Sequence, residues 1–141
     1  MDKLSNEKRS WNMSRIRSKN TAPELAVRIY LFSKGIRYRV NVKIPGKPDI
    51  AIKKIKTAVF VNGCFWHGHE NCKDSGIPKS NTKFWKTKIE SNMARDRRNI
   101  ELLTNNGWRV VTIWECELLK KADIVLESLA NDLLERLKSR N

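Results

Sequence analysis

A chain of 141 residues and 16.4 kDa is long enough to bury one continuous core without disulfides. No run of about 18 apolar residues occurs, which excludes a transmembrane helix. Three cysteines, an odd number, argue for free thiols in a reducing cytosol rather than a disulfide framework. The segment Met1–Arg9 lacks the apolar block of a secretory signal. Lys and Arg number 29 against 15 Asp and Glu, a net charge of +14. All of the excess falls in residues 1–100. Such a surface binds a polyanion by releasing its condensed counterions, so nucleic acid is the expected partner. A membrane surface is disfavoured, because no strongly basic amphipathic helix stands out.

Residues 1–20 are polar and basic, with Trp11, Met13 and Ile16 as isolated apolar points, and read as an N-terminal arm or short helix. Residues 21–141 then form one domain. Thr21-Ala22-Pro23-Glu24 is a helix start: a threonine cap, proline in the first turn and glutamate three residues after the cap. Leu25, Ile29 and Phe32 follow at helical spacing, and Gly35 suits the C-terminal cap. Ile36–Val40 alternates as a strand, Pro45–Pro48 is a turn, and Asp49–Ile52 is a second strand. Thr57–Val61 is almost wholly apolar, which predicts a central strand. Residues 62–80 are a loop rich in glycine and metal-capable side chains. A long helix is expected from about 81 to 106, stopped by Gly107, then a strand over 108–114. The last helix carries Leu126, Leu129, Leu133 and Leu137 at steps of three and four. The order predicts a small mixed α/β domain.

Between Cys64 and Cys72 lie two of the three cysteines and both histidines, His67 and His69. Cys116, just past an apolar strand, can return to this loop in space. Zinc prefers four thiolate or imidazole ligands, and closed structural sites use four protein ligands. The cysteines supply three, and either His67 or His69 the fourth. The expected role is structural, because a long loop without secondary structure needs a staple.

Asp49 opens a strand beside the central one. With a backbone carbonyl near residue 61 it can hold Mg²⁺ through oxygen while leaving water positions open; the plain alternative is a turn aspartate capping its own backbone. Glu24 likewise has a simple role in the capping box. Asp96 is more pointed. The apolar stripe of its helix is Trp85, Ile89, Met93, Ile100 and Leu103, and Asp96 splits the seven-residue gap in that stripe. A carboxylate there needs a cation or donor from elsewhere in the fold, either a histidine of the adjoining loop or a structural Arg or amide. Phe65 and Trp66 stand among glycines and polar residues. Aromatic rings on such a loop in a basic protein can wedge between base pairs.

Several blocks together resemble the very short patch repair (Vsr) DNA mismatch endonucleases. They are Gly46-Lys47-Pro48-Asp49, Phe60-Val61-Asn62-Gly63-Cys64-Phe65-Trp66-His67, Phe84-Trp85, Arg95-Asp96-Arg97-Arg98, Gly107-Trp108-Arg109-Val110 and Trp114-Glu115-Cys116, in that order. The resemblance runs from about Ser10 to Cys116, and Asn12-Met13 and Thr21-Ala22-x-Glu24 fit it too. It implies a restriction-endonuclease-like (PD-(D/E)xK-type) α/β fold that nicks double-stranded DNA 5′ to the mispaired thymine of a T:G mismatch. It further implies Mg²⁺ on Asp49 and the main chain of Val61, with Glu24 acting through bound waters. His67 would be the catalytic histidine, supported by Asp96. Zn²⁺ would sit on Cys64, His69, Cys72 and Cys116. Phe65, Trp66 and Trp85 would enter the base stack from the major groove, and Met13 from the minor groove. The enzyme would act in the bacterial cytoplasm at the nucleoid, as a monomer, with a mismatch-repair protein as a further partner.

At one position this chain departs from the family: Asn62 stands where the best-known member has a second active-site histidine. Asparagine hydrogen-bonds a phosphate oxygen but does not exchange a proton near neutral pH. Two other readings compete: an endonuclease attached to a restriction–modification system, and a zinc-stabilised DNA-binding module without catalysis.

Overall fold

The computed structural model describes residues 21–70, 72 and 75–139; the arm expected over residues 1–20, including Met13, lies outside them. Helix α1 spans Ala22–Ser33, and the Thr21 hydroxyl accepts from the Glu24 amide at 3.4 Å. Strand β1 is Ile50–Ile52, followed by a 3₁₀ turn at Lys53–Ile55 and strand β2 at Thr57–Asn62. Helix α2 runs Thr82–Asn105, strand β3 Arg109–Trp114, and helix α3 Glu115–Ser139 with a kink at Lys121. Gly35 and Gly107, at φ of +82° and +85°, end α1 and α2 in the left-handed conformation that glycine adopts without strain.

The sheet order is β1-β2-β3, so the apolar Thr57–Val61 segment is central, as its composition predicts. β1 is antiparallel to β2, and β3 is parallel to it with Asn62 opposite Trp114. A parallel pair needs a long crossover, here the connection that carries α2. Alternation sorts the side chains. Ile50, Ile52, Val59, Val61 and Ile113 join Val27, Leu31, Leu126, Leu129 and Leu133 in one core between the sheet and helices α1 and α3. The opposite strand positions, among them Phe60 and Asn62, belong to the face away from that core. No helix among the described residues is long and apolar enough to cross a membrane.

Two expectations change. The strand expected at Ile36–Val40 shrinks to one bridge, in which Arg39 and Ala51 exchange both backbone hydrogen bonds at 2.9 Å. Asn41, at φ +57°, turns the chain away immediately afterwards, and β1 offers only three residues to pair with. Helix α1 also buries a different stripe. Ile29 and Phe32 are 69% and 57% exposed, whereas Glu24, Val27 and Leu31 face inward. That rotation brings the Glu24 carboxyl against Asp49.

Candidate active site and metal cluster

Asp49 lies at a bend just before β1, and its Oδ2 accepts the Val61 amide at 2.5 Å. Glu24, only 3% exposed, comes from α1 to hydrogen-bond the same carboxyl group. Burial pushes Asp49 up to about 7; the Val61 amide opposes that rise and Glu24 adds to it. Arg28, one turn after Glu24, sets Nη2 3.4 Å from Glu24 Oε2 and eases the crowding of negative charge. In the sequence, Arg28 is signalled only by its i,i+4 spacing from Glu24. The buried Glu24 carboxyl and the half-buried Asp49 carboxyl, in hydrogen-bond contact, form an oxygen-rich site that a hard cation fits, because the cation replaces the proton Asp49 holds and offsets the negative charge.

The chain leaves β2 at Asn62 and winds tightly through residues 63–69. His67 N–H donates to Gly63 O at 3.2 Å and His69 N–H to Cys64 O at 3.0 Å. Gly68 makes the winding possible. Its φ is +59°, and a Cβ there would stand 2.5 Å from Met93 Sδ and 3.0 Å from Ile89 Cγ2 on α2. The loop is therefore seated on α2. Asn92, itself buried, donates Nδ2 to Trp66 O at 3.0 Å. His67 Nδ1 meets Asp96 Oδ2 at 2.6 Å, each side chain 27% exposed. Asp96 thus has the loop-histidine partner that its place in the apolar stripe called for.

Phe65, Trp66 and Trp85 pack edge to face, with ring centroids 5.1 to 5.7 Å apart. Phe84 extends the cluster, 5.1 Å from Trp85. All four rings stand outside the apolar core, and Phe84 is exposed.

Cys64, His69, Cys72 and Cys116 bring one ligand atom each within 4.8 Å of one another. Soft sulfur and imidazole donors in this number match a closed zinc site. Cys116 Sγ lies 3.5 Å from His69 Nδ1. Ser75 ties down the return of the loop, its hydroxyl donating to His69 O at 2.6 Å and Cys72 O at 3.1 Å. Burial pushes the Cys64 thiol up to about 12; the Cys116 backbone opposes that rise, and the Cys116 and Cys72 side chains add to it. A bound cation would reverse this by stabilising the thiolate. His69, rather than His67, falls in the cluster, while His67 turns to Asp96. Trp114, which the sequence reading left as a strand residue, stacks on His69 at 4.0 Å with 9° between the ring planes. Its signal was its position two residues before Cys116.

A family model described as DNA mismatch endonuclease Vsr matches residues 1–73. Among similar proteins, the type II nicking enzyme V.NmeAIP of Neisseria meningitidis is 47% identical over 97% of this chain and 96% of its own length. The type II nicking enzyme V.XorIIP of Xanthomonas oryzae is 49% identical over 83% of this chain and 86% of its own length. The DNA mismatch endonuclease Vsr of Escherichia coli is 38% identical over 90% of this chain and 81% of its own length. With its sequence blocks and these likenesses in agreement, the chain belongs to the Vsr family of DNA mismatch endonucleases.

Proposed function

We propose that this chain nicks one strand of duplex DNA 5′ to the mispaired thymine of a T:G mismatch, on a restriction-endonuclease-like scaffold. The observation that carries the reading is the His67–Asp96 contact of 2.6 Å, on a loop whose two preceding residues are aromatic. Asp96 accepts His67 Nδ1–H, which orients the ring and leaves Nε2 to take a proton from the attacking water. Asn62 donates its amide to a phosphate oxygen, so proton transfer rests on His67 alone. Phe65, Trp66 and Trp85 replace base stacking beside the mismatch, an exchange worth about 1–3 kcal/mol per base. Met13 is assigned to the minor groove. Asp49 and the Val61 carbonyl would hold Mg²⁺, with Glu24 acting through bound waters, and the ion when bound would stabilise negative charge developing on the phosphate. The Val61 carbonyl suits this role because a strand residue directs its N–H and C=O to the same side, and its N–H reaches Asp49. Cys64, His69, Cys72 and Cys116 would hold structural Zn²⁺. One site cutting one strand requires only a monomer, and action on the bacterial chromosome places the enzyme at the nucleoid, where a mismatch-repair protein is a natural partner.

A second reading, an enzyme serving a restriction–modification system, is favoured by the names of the Neisseria and Xanthomonas relatives as type II nicking enzymes. Incubating matched T:A and C:G duplexes beside a T:G duplex, with Mg²⁺ or with EDTA, tests the proposal. Nicking only of T:G and only with Mg²⁺ is expected; equal cleavage of the matched duplexes, or none of T:G, contradicts it.

Two further results are expected. Mg²⁺ must displace the proton that Asp49 keeps up to about 7. Its apparent affinity should therefore tighten as pH rises and level off above neutrality, being about tenfold weaker one unit below that value than one unit above it. Calorimetric Mg²⁺ titrations across this range measure it. Cys72→Ala should lose bound zinc and melt at lower temperature, as metal analysis and thermal denaturation will record; unchanged metal content would contradict the ligand set.

A further inference from the structure

We infer that Trp114 is a positioning residue through which the Cys/His cluster sets the orientation of His67. The indole touches both histidines. It stacks flat on His69 at 4.0 Å and stands edge-on to His67 at 6.5 Å and 71°, both within the range of favourable ring contacts. The hydrogen bond from Nδ1 to Asp96 fixes one atom of the His67 ring but leaves the ring free to swing about that contact. Trp114 supplies a second restraint on the ring plane.

Three contacts in turn hold Trp114. Its backbone lies opposite Asn62 in the β2–β3 ladder, its amide donates to Glu117 Oε1 at 3.2 Å, and its ring rests on His69. Only the last depends on the ligand cluster. His69 Nδ1 faces Cys116 Sγ at 3.5 Å, so an ion held there fixes the imidazole on which the indole lies. Removing that ion frees His69, then Trp114, then the ring plane of His67. An ion held by the cluster would thereby bear on the orientation of His67 as well as on loop stability. This inference rests on the role of His67 proposed above.

The test compares zinc-loaded wild type, Trp114→Phe and Trp114→Leu. Each is assayed for zinc retention against a chelator, duplex affinity, and single-turnover nicking of a T:G duplex. Outer contacts of this kind are worth roughly 10- to 100-fold in metal affinity or activity. Trp114→Leu should lose that much in both zinc retention and nicking rate, with affinity for duplex changed far less. Trp114→Phe, which keeps a ring on His69, should recover most of both. A fully loaded Trp114→Leu enzyme that nicks at the wild-type rate would overturn the inference, as would phenylalanine performing no better than leucine. If Trp114→Leu does not fold, imidazole NMR of the wild type answers instead. The His67 ring signals should shift or broaden as zinc is withdrawn, and unchanged signals overturn the inference. Wild type that fails to nick T:G at all would refute the proposed function instead, so the two failures are distinguishable.

Discussion

Replacing Asp49 by asparagine is expected to lower the nicking rate by on the order of 10²–10³-fold, since loss of a charged ligand removes several kcal/mol of metal-assisted stabilisation. Affinity for mismatched duplex should change far less, because the basic surface and the aromatic cluster remain. Stability should move the other way. The Asp49 carboxyl keeps its proton up to about 7 when folded but loses it near 3.8 in the unfolded chain. The folded state therefore binds more protons between those values, and metal-free stability falls as pH rises through that window. Asparagine keeps an oxygen for the Val61 amide and removes the charge beside Glu24. Above neutral pH the metal-free Asp49→Asn protein should melt higher than wild type. A nicking assay and a thermal melt at matched pH check both halves; an active variant, or one that melts lower, contradicts this view of the carboxyl pair.

His67→Ala carries the second large effect. Loss of a general base costs about 10²–10⁴-fold in rate, and here no second histidine can substitute because position 62 is asparagine. If Asp96 acts only through the imidazole, as proposed, Asp96→Asn should slow nicking in the wild type and add little once His67 is alanine. Single-turnover rates of the two single variants and the double variant measure that coupling. Additive losses would mean that Asp96 serves the fold or the DNA instead of His67.

Asp96 illustrates what was legible from sequence. Helical spacing alone put a carboxylate in an apolar stripe, and burial physics then demanded a partner, which is His67. The central strand was legible for a similar reason, since near-continuous apolar composition implies cover on both faces. Helix α1 was legible in its extent but not in its buried face, because Leu25, Ile29 and Phe32 keep helical spacing as faithfully as Val27 and Leu31 do. Periodicity cannot choose between two overlapping stripes when the inward one carries Glu24, a residue that ordinarily faces water. The strand at Ile36–Val40 was misread because alternation says nothing about the length of its partner, and β1 offers only three residues. For the metal cluster, spacing narrowed the fourth ligand to two histidines and the family resemblance pointed to His69. Trp114 escaped notice because its role depends on a stack between β3 and a distant loop.

The most direct test of the central claim uses T:G duplexes labelled on one strand at a time, incubated with Mg²⁺ and either wild type or His67→Ala. The account predicts one nick, on the thymine strand and immediately 5′ to the mispaired base, that His67→Ala makes far more slowly. Cleavage of both strands, a nick elsewhere, or an undiminished rate without His67 would contradict it.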